Sequence, residues 1–108
     1  MKFGVNTFVW VSPCTTKDIL NLAPRVKAMG FDILELAIED PELIDIETAG
    51  RAIHDNGLEA IICGAFGAER NLCSTNPLYI EKSKSYNRTL VDAAERVGAP
   101  LVCGPMYS

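Results

Sequence analysis

The sequence lacks the short motifs that usually mark a metal or nucleophile site. Its four cysteines stand at positions 14, 63, 73 and 103, form no C-x-x-C pair and match no zinc-site spacing. There is one histidine, His54, late in the second predicted helix and far from the strand ends where sites form. A nucleophilic cysteine needs a nearby base, so a Cys/His catalytic pair is not expected.

Clustered positive charge and long apolar runs are also missing. The net charge is −4 with no Lys/Arg cluster, which argues against binding nucleic acid. No apolar run approaches the ~20 residues of a membrane span. Asn6 and Thr7 interrupt the apolar stretch 3–11, and Pro13 stands where a signal-peptide cleavage site needs a small residue. We therefore expect a cytoplasmic protein with free thiols.

What the sequence does contain is a repeated order of helix, glycine and strand. Gly30, Gly57 and Gly98 each close a helix-like stretch, and an apolar run follows within a few residues. With a first strand near the N-terminus, the order is strand, helix, strand, helix, strand, helix, strand. This order predicts a parallel α/β sheet in a single, partial domain over residues 1–108. A small flavodoxin-like sandwich and a piece of a larger barrel both remain open at this point.

The first helix is the least certain element because Pro24 falls inside its pattern. Thr15 and Asp18 have the spacing of a helix start. We consider a kinked helix and a short turn followed by a main helix from Pro24, and favour the second, with Val26 and Met29 facing the sheet. The other predicted bounds are strands at 2–8, 33–37, 58–63 and 101–103, and helices at 45–56 and 77–97.

Polar and thiol groups at the strand ends are the candidates for chemistry. Glu35 stands in an otherwise apolar strand, where a carboxylate is costly unless it is paired or used. For Glu35, the pattern is equally consistent with a sugar-binding role and with a structural role. Cys63 and Cys103 end neighbouring strands. We favour the interpretation that both are small buried hydrophobic residues over the interpretation that they line one pocket as a pair.

The loops after the strands add aromatic and basic side chains. Phe8, Trp10 and Phe66 can stack on the apolar face of a sugar or simply pack over the core. Arg70 can bind an anion or, as a loop arginine, pair with a neighbour. Gly64-x-x-Gly67 is not a dinucleotide-binding fingerprint, because the first Gly-x-Gly spacing is missing.

Several segments together resemble one enzyme family. The opening segment 1–10 (MKFGVNTFVW), segment 30–37 (GFDILELA), segment 71–74 (NLCS) and segment 98–108 resemble the ketose 3-epimerases, which act on D-tagatose and D-psicose. The resemblance implies the N-terminal half of a (β/α)8 TIM barrel. It also implies an isomerase with manganese, or another divalent metal, and two glutamates that exchange a proton at C3 of a free ketose. Those glutamates and the metal ligands belong to the later strands.

The resemblance therefore implies that this chain contributes substrate-pocket wall and no catalytic or metal-binding residue. It implies sugar contacts at six positions, to which the residue-level argument adds Trp10 and Glu35. The six are Asn6, Phe8, Gly64, Phe66, Pro105 and Met106. We expect the chain alone to be inactive and to form homo-oligomers through its open sheet edges. The alternatives are a non-catalytic, self-assembling half-barrel and another xylose-isomerase-like barrel, such as an inosose-processing enzyme.

Overall fold

The computed structural model of the protein describes residues 1–104. Four parallel strands alternate with three α-helices, and short 3-10 turns occupy residues Thr7–Val9, Pro41–Leu43 and Ala68–Arg70. The strands are β1 (Gly4–Asn6), β2 (Ile33–Ile38), β3 (Glu59–Gly64) and β4 (Val102–Cys103), and the helices are α1 (Thr16–Ala28), α2 (Ile46–Asp55) and α3 (Pro77–Val97).

The strand order decides between the two architectures that the sequence leaves open. The strands lie side by side as β1-β2-β3-β4, all parallel, and α2 packs between α1 and α3. A flavodoxin-like sheet has β1 inside the sheet, with helices on both faces. Sequential order with neighbouring helices in one layer is the arrangement of successive units in a TIM barrel, so the predicted barrel arc is confirmed.

The hydrophobic core lies between the sheet and this helix layer. Leu34, Leu36 and Ile62 project from the sheet into it, where they meet Ile53 and Leu90 from α2 and α3. Successive residues of a strand point to opposite faces. The residues between them, such as Glu35 and Ile61, therefore lie on the second face and are only half-buried.

The predicted glycine pattern is confirmed at all three positions. Gly30, Gly57 and Gly98 have positive φ values of 94°, 73° and 70°. A side chain at such a φ is strained, so glycine ends each helix at the lowest steric cost. The start of α3 is also as predicted, because the Asn76 side chain accepts from the Leu78 N–H and proline follows at the first helical position.

The favoured interpretation of the first helix is wrong. α1 runs without a break through Pro24, and Thr15 and Asp18 form the predicted capping box at its start. Leu20, whose carbonyl loses its hydrogen bond at Pro24, is 47% exposed, so water can replace the missing donor. Val26 faces the core as predicted, but Met29 does not, being 53% exposed at the helix end.

β1 is shorter than predicted, because the chain leaves the sheet after Asn6. The Asn6 Oδ1 accepts from the Phe8 N–H at 2.8 Å and so starts the turn over Thr7–Val9. The Thr7 hydroxyl oxygen then accepts from the Ala37 N–H of β2 at 3.1 Å. None of the helices within residues 1–104 is both long and apolar enough to cross a membrane.

Candidate functional site

Four polar or thiol side chains meet on the second face of the sheet, and three of them stand at the carboxyl ends of their strands. The register places Asn6 of β1 opposite Glu35 of β2, and Cys63 of β3 opposite Cys103 of β4. We call Asn6, Glu35, Cys63 and Cys103 the strand-end cluster. Sites of parallel α/β proteins form at this end of the sheet, so the cluster is the candidate functional site.

Glu35 is the centre of this cluster. Its Oε1 accepts from the Asn6 Nδ2 at 2.9 Å and from the Cys103 Sγ at 3.2 Å. Asn6 is itself fixed, because its Oδ1 is used by the turn after β1. Both bonds to the carboxylate reach the same oxygen, which leaves Oε2 with the capacity to accept from a ligand hydroxyl. The carboxylate is thus oriented by its neighbours and half-buried.

The two cysteines of the cluster are hydrogen-bond donors more than nucleophiles. Burial raises the pKa of the Cys103 thiol to about 12, and the Glu35 carboxylate beside it acts in the same direction. Burial also raises the pKa of Cys63, which lies against the same carboxylate. Because the thiolate is the reactive form, both groups are inert as nucleophiles near neutral pH. His54, at the end of α2, has its Nε2 2.5 Å from the Val97 carbonyl oxygen.

A second group of side chains builds the loop after β3. The Arg70 guanidinium lies 3.8 Å from the ring centre of Tyr86 and donates to the Ala65 carbonyl at 3.0 Å and the Glu39 carbonyl at 2.8 Å. The Tyr86 hydroxyl donates to the Ile38 carbonyl and accepts from the Ala65 N–H at 2.8 Å. Of the two roles considered for Arg70, the structure shows pairing with neighbours, both in its own loop and in the segment after β2.

Tyr86 is a residue whose role sequence reasoning missed. It lies on the buried face of α3, and its hydroxyl ties the ends of β2 and β3 together. Burial raises its pKa, so the hydroxyl stays a donor at neutral pH. The signal available in the sequence was a tyrosine in line with Leu90 and Val97 on one face of this helix, since a buried hydroxyl needs a partner.

The predicted aromatic residues have different environments. Phe66 packs edge-on against Tyr86, with ring centres 5.4 Å apart, and Trp10 packs partly buried against the hydrophobic core. Phe8 is 40% exposed. Gly64 is buried, and a Cβ there would lie 2.5 Å from the Phe66 Cε2, so this glycine lets the ring approach the strand. Pro105 and Met106 lie outside the described residues.

One cavity lies away from this face. It has a volume of about 120 Å³ and is bordered by Ile38, Ile44 and Arg96 among others. Pockets that enclose drug-sized ligands typically measure about 300–1,000 Å³, so this cavity is too small for such a ligand. A larger, open space of about 380 Å³ lies along α3, bordered by Asn87, Arg88 and Val91.

The cluster also contains the one group of potential metal ligands found within residues 1–104. The ligand atoms of Glu35, Cys63 and Cys103 all lie within 4.8 Å of one another. They come from three strands, so their spacing along the chain gave no motif. Manganese prefers carboxylate, carbonyl and water oxygens, whereas this set is two-thirds sulfur. The group therefore does not fit the manganese that the family resemblance implies.

Comparisons with known proteins point to one kind of enzyme. No protein-family model matches the chain. A ketose 3-epimerase from Arthrobacter globiformis is 27% identical over 108 residues, covering 100% of this chain and 37% of the relative. An L-ribulose 3-epimerase from Methylomonas sp. is 22% identical over 99% of this chain and 37% of the relative. The chain thus spans a little over a third of the length of the curated relatives it matches.

Solved structures show the same fold over the same extent. The D-allulose 3-epimerase from Methylomonas sp., in complex with D-allulose, superposes on this chain with a TM-score of 0.88 and is 22% identical in sequence. The match covers 99% of this chain and 37% of the allulose epimerase chain. The D-psicose 3-epimerase from Clostridium cellulolyticum H10, with D-tagatose, superposes with a TM-score of 0.78 and is 25% identical in sequence. This match covers 100% of this chain and 38% of the psicose epimerase chain. Strand order, helix layer and similarity along the whole chain thus agree that the protein resembles the ketose 3-epimerases and has the fold of the first βα units of their TIM barrel.

Proposed function

We propose that this chain forms the N-terminal, sugar-binding part of a metal-dependent ketose 3-epimerase. The observation that carries the proposal is the Asn6–Glu35 pair, which fixes a carboxylate of β2 beside the carboxyl end of β1, on the face that a barrel encloses. The similarity to ketose 3-epimerases along the whole chain supports it.

The proposed reaction moves one proton. A base removes the proton at C3 of the ketose, next to the carbonyl, the electron pair is held as an enediolate, and a second acid returns a proton to the opposite face of C3. The two exchanging carboxylates and the manganese ligands are proposed to belong to further barrel units, in keeping with the poor fit of the strand-end cluster to manganese.

Within this scheme the described residues bind and orient the sugar. The Glu35 Oε2 accepts from a substrate hydroxyl, and Asn6 keeps the carboxylate aimed at it. Exposed Phe8 and the partly buried Trp10 offer apolar surface to the sugar ring. Gly64 and Phe66 shape the wall after β3, and Pro105 and Met106 complete the proposed contact set after β4. The free thiols fit the cytoplasmic location that we also propose.

The first test is made on the 108-residue chain itself. Its solution mass is measured, and epimerisation of D-psicose and D-tagatose is assayed on the same sample with manganese. We expect no activity, because the exchanging carboxylates are proposed to lie elsewhere. An active sample would show that the chemistry is contained in this chain, and would refute that division. Profiling ketoses against inososes on a longer protein separates the epimerase from the inosose-processing alternative.

A chimera tests the sugar-binding role directly. The chain is joined to the unmatched remainder of the Arthrobacter globiformis enzyme, and Glu35→Gln is compared with Glu42→Gln, an exposed glutamate near the same end of β2. A hydrogen bond to a charged group contributes about 1.5–3 kcal/mol, so Glu35→Gln should lower kcat/KM by roughly 10- to 100-fold. Equal activity of the two variants, or a folded chimera without activity, contradicts the proposal.

Self-assembly is the second candidate, and the sheet edges favour it. Within residues 1–104, β1 pairs only with β2 and β4 only with β3, which leaves an open edge on each side. Phe3 and Val9 near the β1 edge are 60% and 66% exposed. Open edges and apolar surface invite pairing between copies. Sedimentation equilibrium of the chain should therefore give a homo-oligomer, and a monomer at high concentration would refute this candidate.

A further inference from the structure

We propose that Glu35, Cys63 and Cys103 form a binding site for one thiophilic divalent cation of the Zn²⁺ class. This site differs in chemistry from the manganese centre that the resemblance implies. It uses a carboxylate and two thiols that three adjacent strands bring together on one face of the sheet. The proposal rests on the geometry of these residues and does not require the proposed epimerase activity.

The spacing of the three ligand atoms is close to that of a zinc shell. Zinc–sulfur bonds are about 2.3 Å and zinc–oxygen bonds about 2.0–2.2 Å, so tetrahedral ligands lie roughly 3.5–3.8 Å apart. The Cys103 Sγ and the Glu35 Oε1 are already 3.2 Å apart, and all three ligand atoms lie within 4.8 Å. Closing the shell thus needs shifts of roughly an ångström or less, which side-chain rotation supplies.

The surroundings of the group support a cation. Two sulfurs and one carboxylate suit Zn²⁺ over hard ions such as Mn²⁺. Asn6 donates to the carboxylate from outside the shell, as outer partners of metal ligands commonly do. No ion pair to Glu35 occurs within residues 1–104, so a cation would not have to displace a lysine or arginine there. Half-buried Glu35 and Cys103 give the ion a path from solvent.

Binding is a simple exchange of protons for metal. The two thiols lose their protons to solvent, two sulfur–metal bonds and one oxygen–metal bond form, and no electron is transferred. The bound group carries a net charge of −1 from two thiolates, one carboxylate and one dication. A fourth position stays open to water, as it does in three-ligand zinc sites. Affinity should therefore rise with pH, and two protons should be released for each ion bound.

Cobalt titration tests the site, because Co²⁺ in a tetrahedral thiolate shell absorbs strongly in the visible and near ultraviolet. The reduced chain is titrated with Co²⁺ and then with Zn²⁺, which should displace the cobalt and remove the bands. We expect one ion per chain. Cys103→Ser and Glu35→Gln should each weaken binding at least tenfold, about the smallest effect of changing even an outer partner. Cys73→Ser is the matched control, since Cys73 is exposed and outside the cluster.

Two results would overturn the proposal. The first is a folded, fully reduced chain that shows no thiolate–cobalt band. The second is a band that survives Cys103→Ser and disappears in Cys73→Ser, which would assign the metal to the exposed thiol. Cys63 is buried, so Cys63→Ser is used only if circular dichroism shows it folded. Because the readout is a metal spectrum, its failure is distinct from failure of the epimerase assays.

Discussion

Replacing Gly64 by alanine should destabilise the protein through one specific overlap. The added Cβ would lie 2.5 Å from the Phe66 Cε2 and 2.7 Å from the Leu90 Cδ1. Carbon atoms in contact are normally about 3.5–4.0 Å apart, so both neighbours would have to move by about an ångström. Gly64 ends a buried strand, and Leu90 is fully buried in the core, which leaves little room for such movement.

The size of the effect follows from this crowding. Overpacking a well-filled core costs typically about 1–3 kcal/mol. Unfolding entropy of about 2.1 cal/mol/K per residue then converts this cost into a Tm decrease of about 4–13 °C for a chain of this length. Gly67→Ala is the matched control, because a Cβ at Gly67 has nothing within 4 Å and the residue's φ of −163° is extended. Its effect should stay within about 1 kcal/mol.

Urea unfolding, followed by circular dichroism and by the fluorescence of Trp10, gives both free energies. A double-mutant cycle then identifies the cause. Phe66→Ala removes the closest atom, so Gly64→Ala should cost at least about 0.5 kcal/mol less in that background. If Gly64→Ala is no less stable than Gly67→Ala, or if the cycle shows no coupling, the ring of Phe66 does not pack over this strand and the reasoning fails.

Three further outcomes are expected. Tyr86→Phe leaves two backbone partners of the hydroxyl without their hydrogen bond and should lower the free energy of unfolding, measured in urea, by about 1–3 kcal/mol. The control Tyr79→Phe should lower it by less than about 0.5 kcal/mol. Equal costs of the two variants would contradict the bridge that Tyr86 forms between the strands. Thr15→Ala removes the capping box and should cost about 1 kcal/mol in the same assay, a cost that a frayed helix would not show. With Ellman's reagent at pH 8, exposed Cys73 should react first, and Cys14 should stay unreactive until the protein unfolds. Burial raises the pKa of the Cys14 thiol to about 11, so little thiolate is present. Rapid reaction of all four thiols would refute this order.

Much of the fold could be predicted because its signals are local. Asn76 and Pro77 start α3 with groups adjacent in the chain, and Gly98 ends it with its own backbone conformation. α1 could not be settled this way. The helix continues through Pro24 because Leu22, Ala23 and Val26 around it are buried in the hydrophobic core, and that burial outweighs one lost hydrogen bond.

The candidate site was predicted one residue at a time, but not as a group. Glu35 stood out because a carboxylate is costly in an apolar strand. That it meets Asn6, Cys63 and Cys103 depends on the register between strands, which brings together residues as far apart in the chain as Asn6 and Cys103. The two-sulfur, one-carboxylate group is therefore invisible to any spacing motif.

The sequence by itself determined the order of strands and helices along the chain, the glycines that end the helices and the resemblance to ketose 3-epimerases. These depend on apolar periodicity, backbone conformation and residue identity, which are properties of neighbouring positions. Only the tertiary structure decided that the strands lie in the sheet in the same order as in the chain, that the first helix is continuous, and that Glu35 meets two thiols. Each of these is set by packing between segments distant in the chain, where burial and strand register outweigh local preference.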